Sequence, residues 1–596
     1  MIRVRAHICF TVIWLVLVSH AAAQTYDGVK IESVSFSGNE AFSSKILRQI
    51  MVNRPSSAFK ARFFASGEFD TDREMIVRFY HNEGYLQAEI ADYTLTYDDN
   101  KDELHIAIVL SEGELTTVTG IDLLGNTAFS DSVLLAHTEI EIGASFRSDD
   151  MEKATTSIIR LYADHGYLDA LIEPSARIDN ESHTALIDMS IQERTQYTVG
   201  NIVIEGLEGT KRRVVSRELT FAQGETVNYS ELLKSQRNIY LTGIFRSVYI
   251  HPAAATGDGS TARDIVIEIR ERQNGEFNVS AGYGAIEQYR GRAELYHSNL
   301  LGTGNKAGIE GRASMINQIV RLSMTIPRVF GTKWRNDINL LAERSNEPGY
   351  DLKRRGGSLS SARSFVFDTQ LTVKYRHEDT ELQNVSTSEL PEDITPRIRS
   401  LSLSVIFDNR DNLFNPTKGT YLELSNEWGG FYTGTFDPFI RTTAVAKGFV
   451  QTSSRTVLGT SIEGGWLDTA GGLYAIPLQE RFYTGGPNSV RGFRYRHAGE
   501  LDENGKPVGG RVKIVWNVLE VRQHIWNHFD AAVFYDIGGV WSGVKEFTFG
   551  SIRQSAGPGV RMNTPIGLAR LDAGFKLDRK NGEDRYKLHF SLGQAF

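Results

Sequence analysis

The chain alternates between apolar and polar residues from about residue 274 to its C terminus, and this period of two favours β-strands. Near the end, Tyr586 and Leu588 fall on one face of a predicted strand, and Lys587 and His589 fall on the other. Short connections rich in Gly, Asn and Asp separate successive strands. The stretch has room for about 16 strands of 9–11 residues, the length that a tilted membrane strand requires.

Two architectures satisfy this alternation, a soluble sandwich and a membrane barrel. No segment after the N-terminal region approaches 18 consecutive apolar residues, so no membrane helix is predicted. In lipid, strands satisfy all their backbone groups only by closing into a barrel. The even spacing of the strands, the terminal aromatic residue and the pattern of the N-terminal segment favour the barrel.

Residues 1–23 have the pattern of a secretory signal peptide. Two arginines precede an apolar run from Ile8 to Val18, and three alanines end the segment. The run is too short to cross a bilayer, and a short N-terminal anchor is the alternative. Cys9, the only cysteine of the chain, lies within this segment. Export without disulfides or zinc–cysteine sites is typical of a bacterial envelope protein.

The composition argues against several functions. A formal net charge of −8 disfavours wholesale nucleic-acid binding. The sequence contains no G-x-S-x-G, HExxH or Walker motif, so we expect no enzymatic activity. The His and acidic residues of the N-terminal half show no metal-ligand spacing, and we expect neither a metal site nor a cofactor.

The N-terminal half contains an internal repeat. Residues 31–43 recur as residues 118–130, each a predicted strand followed by a Gly-Asn turn and a Ser-capped helix. Residues 79–86 match residues 161–168, where a Gly ends a helix, and a weaker third copy begins at Val199. The repeat predicts three β-α-α-β-β modules, at residues 24–115, 116–196 and 197–273.

Residues 479–496 combine turn formers with arginines. Gly485 and Gly486 begin a dense cluster of residues that interrupt helices and strands, so the chain must turn there. Arg491 and two further arginines follow within six residues. A solvated surface loop is one interpretation of these charges. The other is a loop that folds into the barrel, where a planar guanidinium latches the interior.

The residues Val490-Arg491-Gly492-Phe493 resemble the loop tip of a known family, the outer-membrane assembly and translocation proteins (the BamA/TamA family of surface-antigen barrels). Residues 299–305 and 408–419 resemble further turn signatures of these barrels. The resemblance implies a multidomain chain, with three small α+β POTRA domains before an antiparallel 16-stranded transmembrane β-barrel at residues 274–596. It also implies an inward-folded lid loop at about residues 466–510. The matching lid-loop residues are Arg481, Phe482, Gly485, Gly486, Val490, Arg491, Gly492 and Phe493.

A guanidinium inside a barrel needs a carboxylate partner, because an unpaired buried charge is costly. Asp536 shares the parity of Ala532 and Gly538, so its side chain is expected to face the lumen, and it matches the family's acidic latch position. Glu520 resembles a second acidic partner but is out of phase with Asn517. Either a β-bulge intervenes or this correspondence fails.

The resemblance also implies a lateral seam between the first barrel strand, about residues 275–284, and the last, about residues 586–596. The seam glycines would be Gly282, Gly284 and Gly593. Glycine weakens a strand interior, although turns or barrel curvature also explain these residues. The residues that resemble the C-terminal strand signal read by the barrel-assembly machinery are Phe590, Leu592, Gly593 and Phe596.

Three POTRA copies make the chain most like the TamA subfamily, since BamA proteins typically have five and two-partner-secretion exporters have two. The resemblance implies a factor that receives client polypeptides through periplasmic POTRA domains and assists their insertion into, or passage across, the outer membrane. The expected partners are unfolded outer-membrane or secreted proteins, outer-membrane lipid, and a TamB-like inner-membrane tether or assembly lipoproteins, without nucleic acid. A two-partner-secretion exporter and a passive channel or surface antigen are the alternatives, although a porin needs no tandem modules.

Overall fold

A computed structural model describes residues 26–56, 61–98, 102–254, 260–329, 331–385, 395–413, 415–430, 438–564 and 567–592. The predicted signal peptide, Gly593 and Phe596 lie outside the described residues. The described chain divides into two compact units. The first contains residues up to 202 together with 221–233 and 252–265, and the second contains residues 203–220, 234–251 and those from 266 onward.

Each N-terminal module has the β-α-α-β-β order that the repeat predicts. The first consists of β1 (Lys30–Ser37), α1 (Ser44–Ile50), α2 (Ser66–Asn82), β2 (Glu89–Asp98) and β3 (Glu103–Ser111). The second consists of β4 (Thr117–Leu124), α3 (Asp131–Thr138), α4 (Ser148–Asp164), β5 (Leu171–Asp179) and β6 (Thr184–Gln192). The third consists of β7 (Thr198–Glu205), α5 (Arg212–Ser216), α6 (Tyr229–Leu241), β8 (Phe245–Pro252) and β9 (Ala262–Glu271).

The last strand of each module is the central strand of a three-stranded sheet, in the orders β1-β3-β2, β4-β6-β5 and β7-β9-β8. In the first module β3 pairs in parallel with β1 and antiparallel with β2. Ile106 and Ile108 alternate along β3 into the core, where they meet Ile76 and Tyr80, which are one turn apart on α2. The helices cover one face of each sheet, which explains the two different periods in the sequence.

A carboxylate at the C-terminal end of the central strand closes each module, a feature that the sequence analysis missed. Glu193 accepts hydrogen bonds from the backbone nitrogens of Thr127 and Ala128, at 2.7 and 2.8 Å, and from the Tyr162 hydroxyl at 2.8 Å. Burial would raise the pKa of Glu193, but these hydrogen bonds hold the pKa below its usual value. The equivalent carboxylates are Glu112, Glu193 and Glu271.

The remaining strands, β10 to β25, form a closed barrel in which neighbouring strands follow the order of the sequence. They are β10 (Gly275–Gly284), β11 (Gln288–Leu300), β12 (Asn305–Ser314), β13 (Asn317–Ile326), β14 (Arg335–Glu347), β15 (Tyr350–Ser364), β16 (Thr369–Gln383), β17 (Arg397–Asp408), β18 (Gly419–Gly429), β19 (Phe439–Ser453), β20 (Thr456–Thr469), β21 (Val512–Trp526), β22 (Phe529–Trp541), β23 (Arg553–Thr564), β24 (Gly567–Lys576) and β25 (Tyr586–Leu592). All pairs are antiparallel, which confirms the predicted fold class.

The two faces of the barrel wall differ as the alternation predicts. Leu422 and Leu424 are 46% and 56% exposed on the outer face. Glu423, between them, turns the other way and accepts a hydrogen bond from the Tyr421 hydroxyl. An apolar outer face and a polar inner face are typical of a membrane barrel. In the part of the chain that the structure describes, no helix is long and apolar enough to cross a membrane.

The barrel closes where its first strand, β10, meets its last strand, β25, whose described residues end at Leu592. β10 pairs with β11 along its full length, from Gly275 to Gly284. Among the described residues, its pairs with β25 are Tyr283 with Leu592 and Gly284 with Ser591. One further backbone hydrogen bond joins the same end, from the Ala285 nitrogen to the Phe590 oxygen at 2.7 Å.

We expect residues 24–273, expressed alone, to unfold cooperatively and to depend on Gly125. Gly125 has a φ of +92°, and a Cβ there would lie 2.2 Å from the Ile191 carbonyl oxygen. Gly143 of the same module has a φ of +89° but open space around its Cβ position. Gly143→Ala should cost about 1 kcal/mol, the strain of a left-handed residue, and Gly125→Ala clearly more.

Urea unfolding followed by circular dichroism measures both losses. Equal losses for Gly125→Ala and Gly143→Ala would contradict the packing of this turn. A fragment that aggregates, or that lacks a cooperative α/β transition, would contradict the domain boundary near residue 273.

Candidate functional site

The candidate site is the loop between β20 and β21, residues 470–511, within a few residues of the expected lid loop at 466–510. Two 3₁₀ turns, Leu473–Ala475 and Leu478–Glu480, lead into its motif. The side chains of Val490, Arg491 and Phe493 are at most 3% exposed. The tip of the loop is therefore packed against the protein, which argues against the solvated-loop interpretation.

Arg491 forms a bidentate ion pair with Asp536 on β22. Its Nε lies 2.7 Å from Oδ2 and its Nη2 lies 2.7 Å from Oδ1, and its backbone nitrogen donates to Oδ2 at 3.2 Å. The guanidinium also lies over the ring of Phe534, 3.4 Å from its centroid. Asp536 is fully buried, and the Asn517 amide donates to its Oδ1 at 2.9 Å. The planar guanidinium of Arg491 thus pairs with a carboxylate that also accepts hydrogen bonds from other donors.

Glu520 reaches the same guanidinium because β21 contains a bulge. Val518 has no partner in the register with β22, where Asn517 opposes Asp536 and Leu519 opposes Tyr535. The extra residue reverses the parity of the strand, so Asn517 and Glu520 both face the lumen. Glu520 Oε2 lies 2.6 Å from Arg491 Nη1. Of the two alternatives that the sequence left open, the structure contains the bulge.

The loop tip also contacts the last two strands, a contact that the sequence analysis did not identify. His589 on β25 donates from Nε2 to the carbonyl oxygen of Arg491 at 2.8 Å. Asp572 on β24 is fully buried, and its carboxylate lies 3.9 Å from Arg491 Nη1. The same carboxylate lies 2.6 Å from the Arg561 guanidinium and 2.5 Å from that of Arg570. The tip therefore spans the wall from β21 to β25.

The other motif residues shape the loop around this tip. Phe493 lies between two cations, with the Arg553 guanidinium 4.4 Å and the Lys576 ammonium 4.9 Å from its ring. Arg481 donates to the carbonyl oxygens of Ile476 and Val508, at 3.1 and 3.0 Å, and so closes the base of the loop.

The backbone of the motif turns as its glycines predict. Gly485 and Gly486 have φ values of +106° and +111°. Phe482 exchanges two backbone hydrogen bonds with Gly510, both 2.9 Å long. Gly492 lies where a Cβ would be 2.7 Å from the Ser555 Cβ. A larger residue at Gly492 would move the tip away from the wall.

A second anchor of opposite sign holds the loop at Glu480, which the sequence analysis did not single out. Glu480 is 2% exposed, and its carboxylate lies 3.1 Å from Arg376 on β16 and 2.9 Å from Arg441 on β19. In the sequence, Glu480 is visible only as an acidic residue beside the motif, because both arginines that pair with it are distant along the chain. Arg496 adds a third contact, 3.2 Å from Glu347.

Two of the predicted seam residues, Gly282 and Gly284, are described, and both lie beside β25. A Cβ on Gly282 would lie 2.8 Å from the Leu592 carbonyl oxygen, and one on Gly284 would lie 4.0 Å from that of Phe590. The seam residue Gly593 and the signal residue Phe596 lie outside the described residues. Within the described part of the chain, no group of three or more His, Cys, Asp or Glu side chains is arranged to hold a metal ion.

Comparison with known families agrees with this architecture. Residues 299–596 match the family model described as the Omp85 superfamily domain. The chain belongs to the Omp85 superfamily. Residues 29–113, 116–194 and 197–272 match the POTRA model, described as a surface antigen variable number repeat. This membership confirms the predicted localisation. The barrel lies in the outer membrane and the POTRA domains lie in the periplasm.

Similar proteins carry the name BamA. The outer membrane protein assembly factor BamA of Neorickettsia risticii is 23% identical, over 95% of this chain and 78% of the relative. The BamA of Nitratidesulfovibrio vulgaris is 24% identical, over 88% of this chain and 68% of the relative. The crystal structure of Haemophilus ducreyi BamA without POTRA domains 1–3 superimposes with a TM-score of 0.72 at 19% identity, covering 80% of this chain and 100% of that one. The expected greater likeness to TamA stays a prediction.

In this Omp85 barrel, we expect Arg491 and Asp536 to be energetically coupled. Removing one partner strands the other charge, at a cost of about 3–5 kcal/mol. Arg491→Ala and Asp536→Ala should therefore each release the loop, and the double variant should be little worse than either. Arg491→Lys should restore little, because an ammonium cannot reproduce the planar fork. Protease sensitivity of the loop and heat-modifiable migration on gels measure these effects.

Arg494→Ala is the matched control. Arg494 is 64% exposed and lies 3.0 Å from Asp584, so its loss should leave the loop protected. Strictly additive defects of Arg491→Ala and Asp536→Ala would contradict the coupling. A control variant as sensitive as Arg491→Ala would show that any lost charge loosens this loop.

Proposed function

We propose that the protein is a non-enzymatic assembly factor that inserts client polypeptides into the outer membrane, or passes them across it, through a lateral opening between β10 and β25. The observation that carries the proposal is the contact between the buried loop tip and the closing strand. His589 on β25 donates a hydrogen bond to the carbonyl oxygen of Arg491, and β25 pairs with β10 to close the barrel.

A client strand would add to the free edges at this junction. Unpaired backbone groups of an edge strand form a template for another strand. Gly282 and Gly284 carry no side chain that would hold β10 against β25, and Tyr283 packs near Phe590, with ring centroids 6.0 Å apart. At this end, packing across the junction therefore involves Tyr283 and Phe590 and not the two glycines. The relatives named as outer membrane protein assembly factors support this type of activity.

The POTRA domains would receive clients before the barrel does. Their sheets place β2, β5 and β8 at an edge, where an extended client segment could add as a further strand. The proposed partners remain unfolded outer-membrane or secreted proteins, outer-membrane lipid, and a TamB-like tether or assembly lipoproteins. Phe590, Leu592, Gly593 and Phe596 are the proposed signal by which this barrel is itself assembled.

The loop tip would act as a latch on the opening. Arg491 is tied to Asp536 on β22 and Glu520 on β21, and its carbonyl oxygen is held by His589 on β25. Release of the tip would free the last strand as well as the lumen. A passive channel is disfavoured, because the buried loop lies against several inner-wall strands and is held there by Glu480 as well as Arg491.

A reversible lock on the junction tests this function. Gly284→Cys and Ser591→Cys change two residues that face each other between β10 and β25, and the chain has no cysteine besides Cys9. In cells depleted of the protein, the oxidised double variant should fail to restore outer-membrane barrel proteins, and a reductant should restore them. Quantitative outer-membrane proteomics measures the outcome.

The matched control joins two strands away from the junction. Ser323→Cys and Asn339→Cys lie opposite each other between β13 and β14, and this pair should support assembly when oxidised. Full activity of the oxidised Gly284→Cys/Ser591→Cys variant would contradict opening at this junction. Unchanged barrel-protein levels after depletion would contradict the assembly function itself.

A further inference from the structure

The outer wall of the barrel carries three cations on β14 and β15, hereafter the basic cluster: Arg344, Lys353 and Arg355. Arg344 follows the apolar Leu340 on the outward face of β14, and Lys353 and Arg355 precede Leu359 on that of β15. β10 leaves the periplasmic POTRA region at Gly275, and strand direction alternates from there. The basic cluster therefore lies at the extracellular end of the barrel, beside the apolar belt.

The charges of the basic cluster are only partly balanced by the protein. Arg344 and Lys353 are direct partners across the β14–β15 ladder, and like charges in that position repel. Lys353 lies 3.5 Å from Glu381, and Asp379, the ladder partner of Arg355 on β16, forms its ion pair with Arg397 at 3.6 Å. Neither Arg344 nor Arg355 forms an ion pair with another residue that the structure describes. The basic cluster thus offers two free guanidinium groups to an anion.

A groove of about 840 Å³ leads from the basic cluster across the outer wall towards β10. Val279 and Val320 contribute apolar walls. Its floor is built from small residues, and a Cβ placed on Gly291 or Gly311 would meet no atom within 4 Å. The small residues are Ala281, Gly291, Ala293, Gly311, Ala313 and Ala342. The groove is open, has these small residues along its floor and has the basic cluster at one end.

We propose that this groove binds a lipid of the outer leaflet, with its headgroup phosphate on Arg344 and Arg355 and an acyl chain along the small residues. Guanidinium groups bind phosphate oxygens through paired hydrogen bonds, and basic patches at the membrane surface attract anionic headgroups. The apolar floor suits a hydrocarbon chain, which a free phosphate would not need. The inference rests on the barrel's place in the outer membrane and not on the handling of clients.

Lipid retention by the full-length protein tests the proposal. The protein is placed in nanodiscs of phosphatidylcholine with a minor fraction of phosphatidic acid, and retained lipids are counted by native mass spectrometry. The unaltered protein should retain phosphatidic acid in preference to phosphatidylcholine. Arg344→Gln and Arg355→Gln should each lower that retention about fivefold, the effect expected for one cation near an anionic headgroup.

Filling the groove tests the acyl-chain part separately. Gly311→Leu extends into open space and should lower phosphatidic acid retention with both arginines intact. Gly464→Leu on β20 is its control, since a Cβ there also meets no atom within 4 Å. Arg363→Gln is the control for charge, because Arg363 lies on the same outward face of β15 but at its other end. Heat-modifiable migration verifies that each barrel is folded.

Three outcomes would overturn the proposal. Equal retention of the two lipids by the unaltered protein would show that no phosphate is recognised. Losses that are as large for Arg363→Gln as for Arg344→Gln would indicate that any cation on the outer wall retains anionic lipid. Full retention by Gly311→Leu would remove the acyl chain from the groove.

Discussion

The position of the loop tip inside the barrel depends on one buried charge, the guanidinium of Arg491. Taking this charge out of water is costly, and the cost is offset only by full pairing. Asp536 supplies a two-pronged partner, Glu520 supplies a second carboxylate, and the Phe534 ring covers the guanidinium face. Because these groups lie on β21 and β22 and His589 lies on β25, satisfying the charge also joins the loop tip to the strand that closes the barrel.

A second buried charge fixes how the loop enters the lumen. Glu480 precedes the tip and pairs with Arg376 and Arg441, whereas Arg491 pairs with carboxylates on the other side of β20. A loop inserted the other way round would separate both charges from these partners. The two ion pairs therefore favour one orientation of the loop.

The sequence predicted the fold well because period, length and repeats are local signals. Parity along one strand was enough to place Asp536 in the lumen, since β22 shows no register shift there. Parity alone did not place Glu520, because the unpaired Val518 reverses the alternation of β21. Nothing in the composition of β21 indicates this bulge. Glu480 and His589 were not found, because their partners lie far away in sequence and meet them only after the barrel closes.

We infer that the loop tip and the closing strand form one cooperative unit. Hydrogen–deuterium exchange of the protein in nanodiscs, with Asp536→Asn as the perturbation, tests this cooperativity. We expect faster exchange both in the loop tip, residues 484–498, and in β25, with no change in β13 and β14. Faster exchange confined to the loop, or spread equally over all strands, would contradict it.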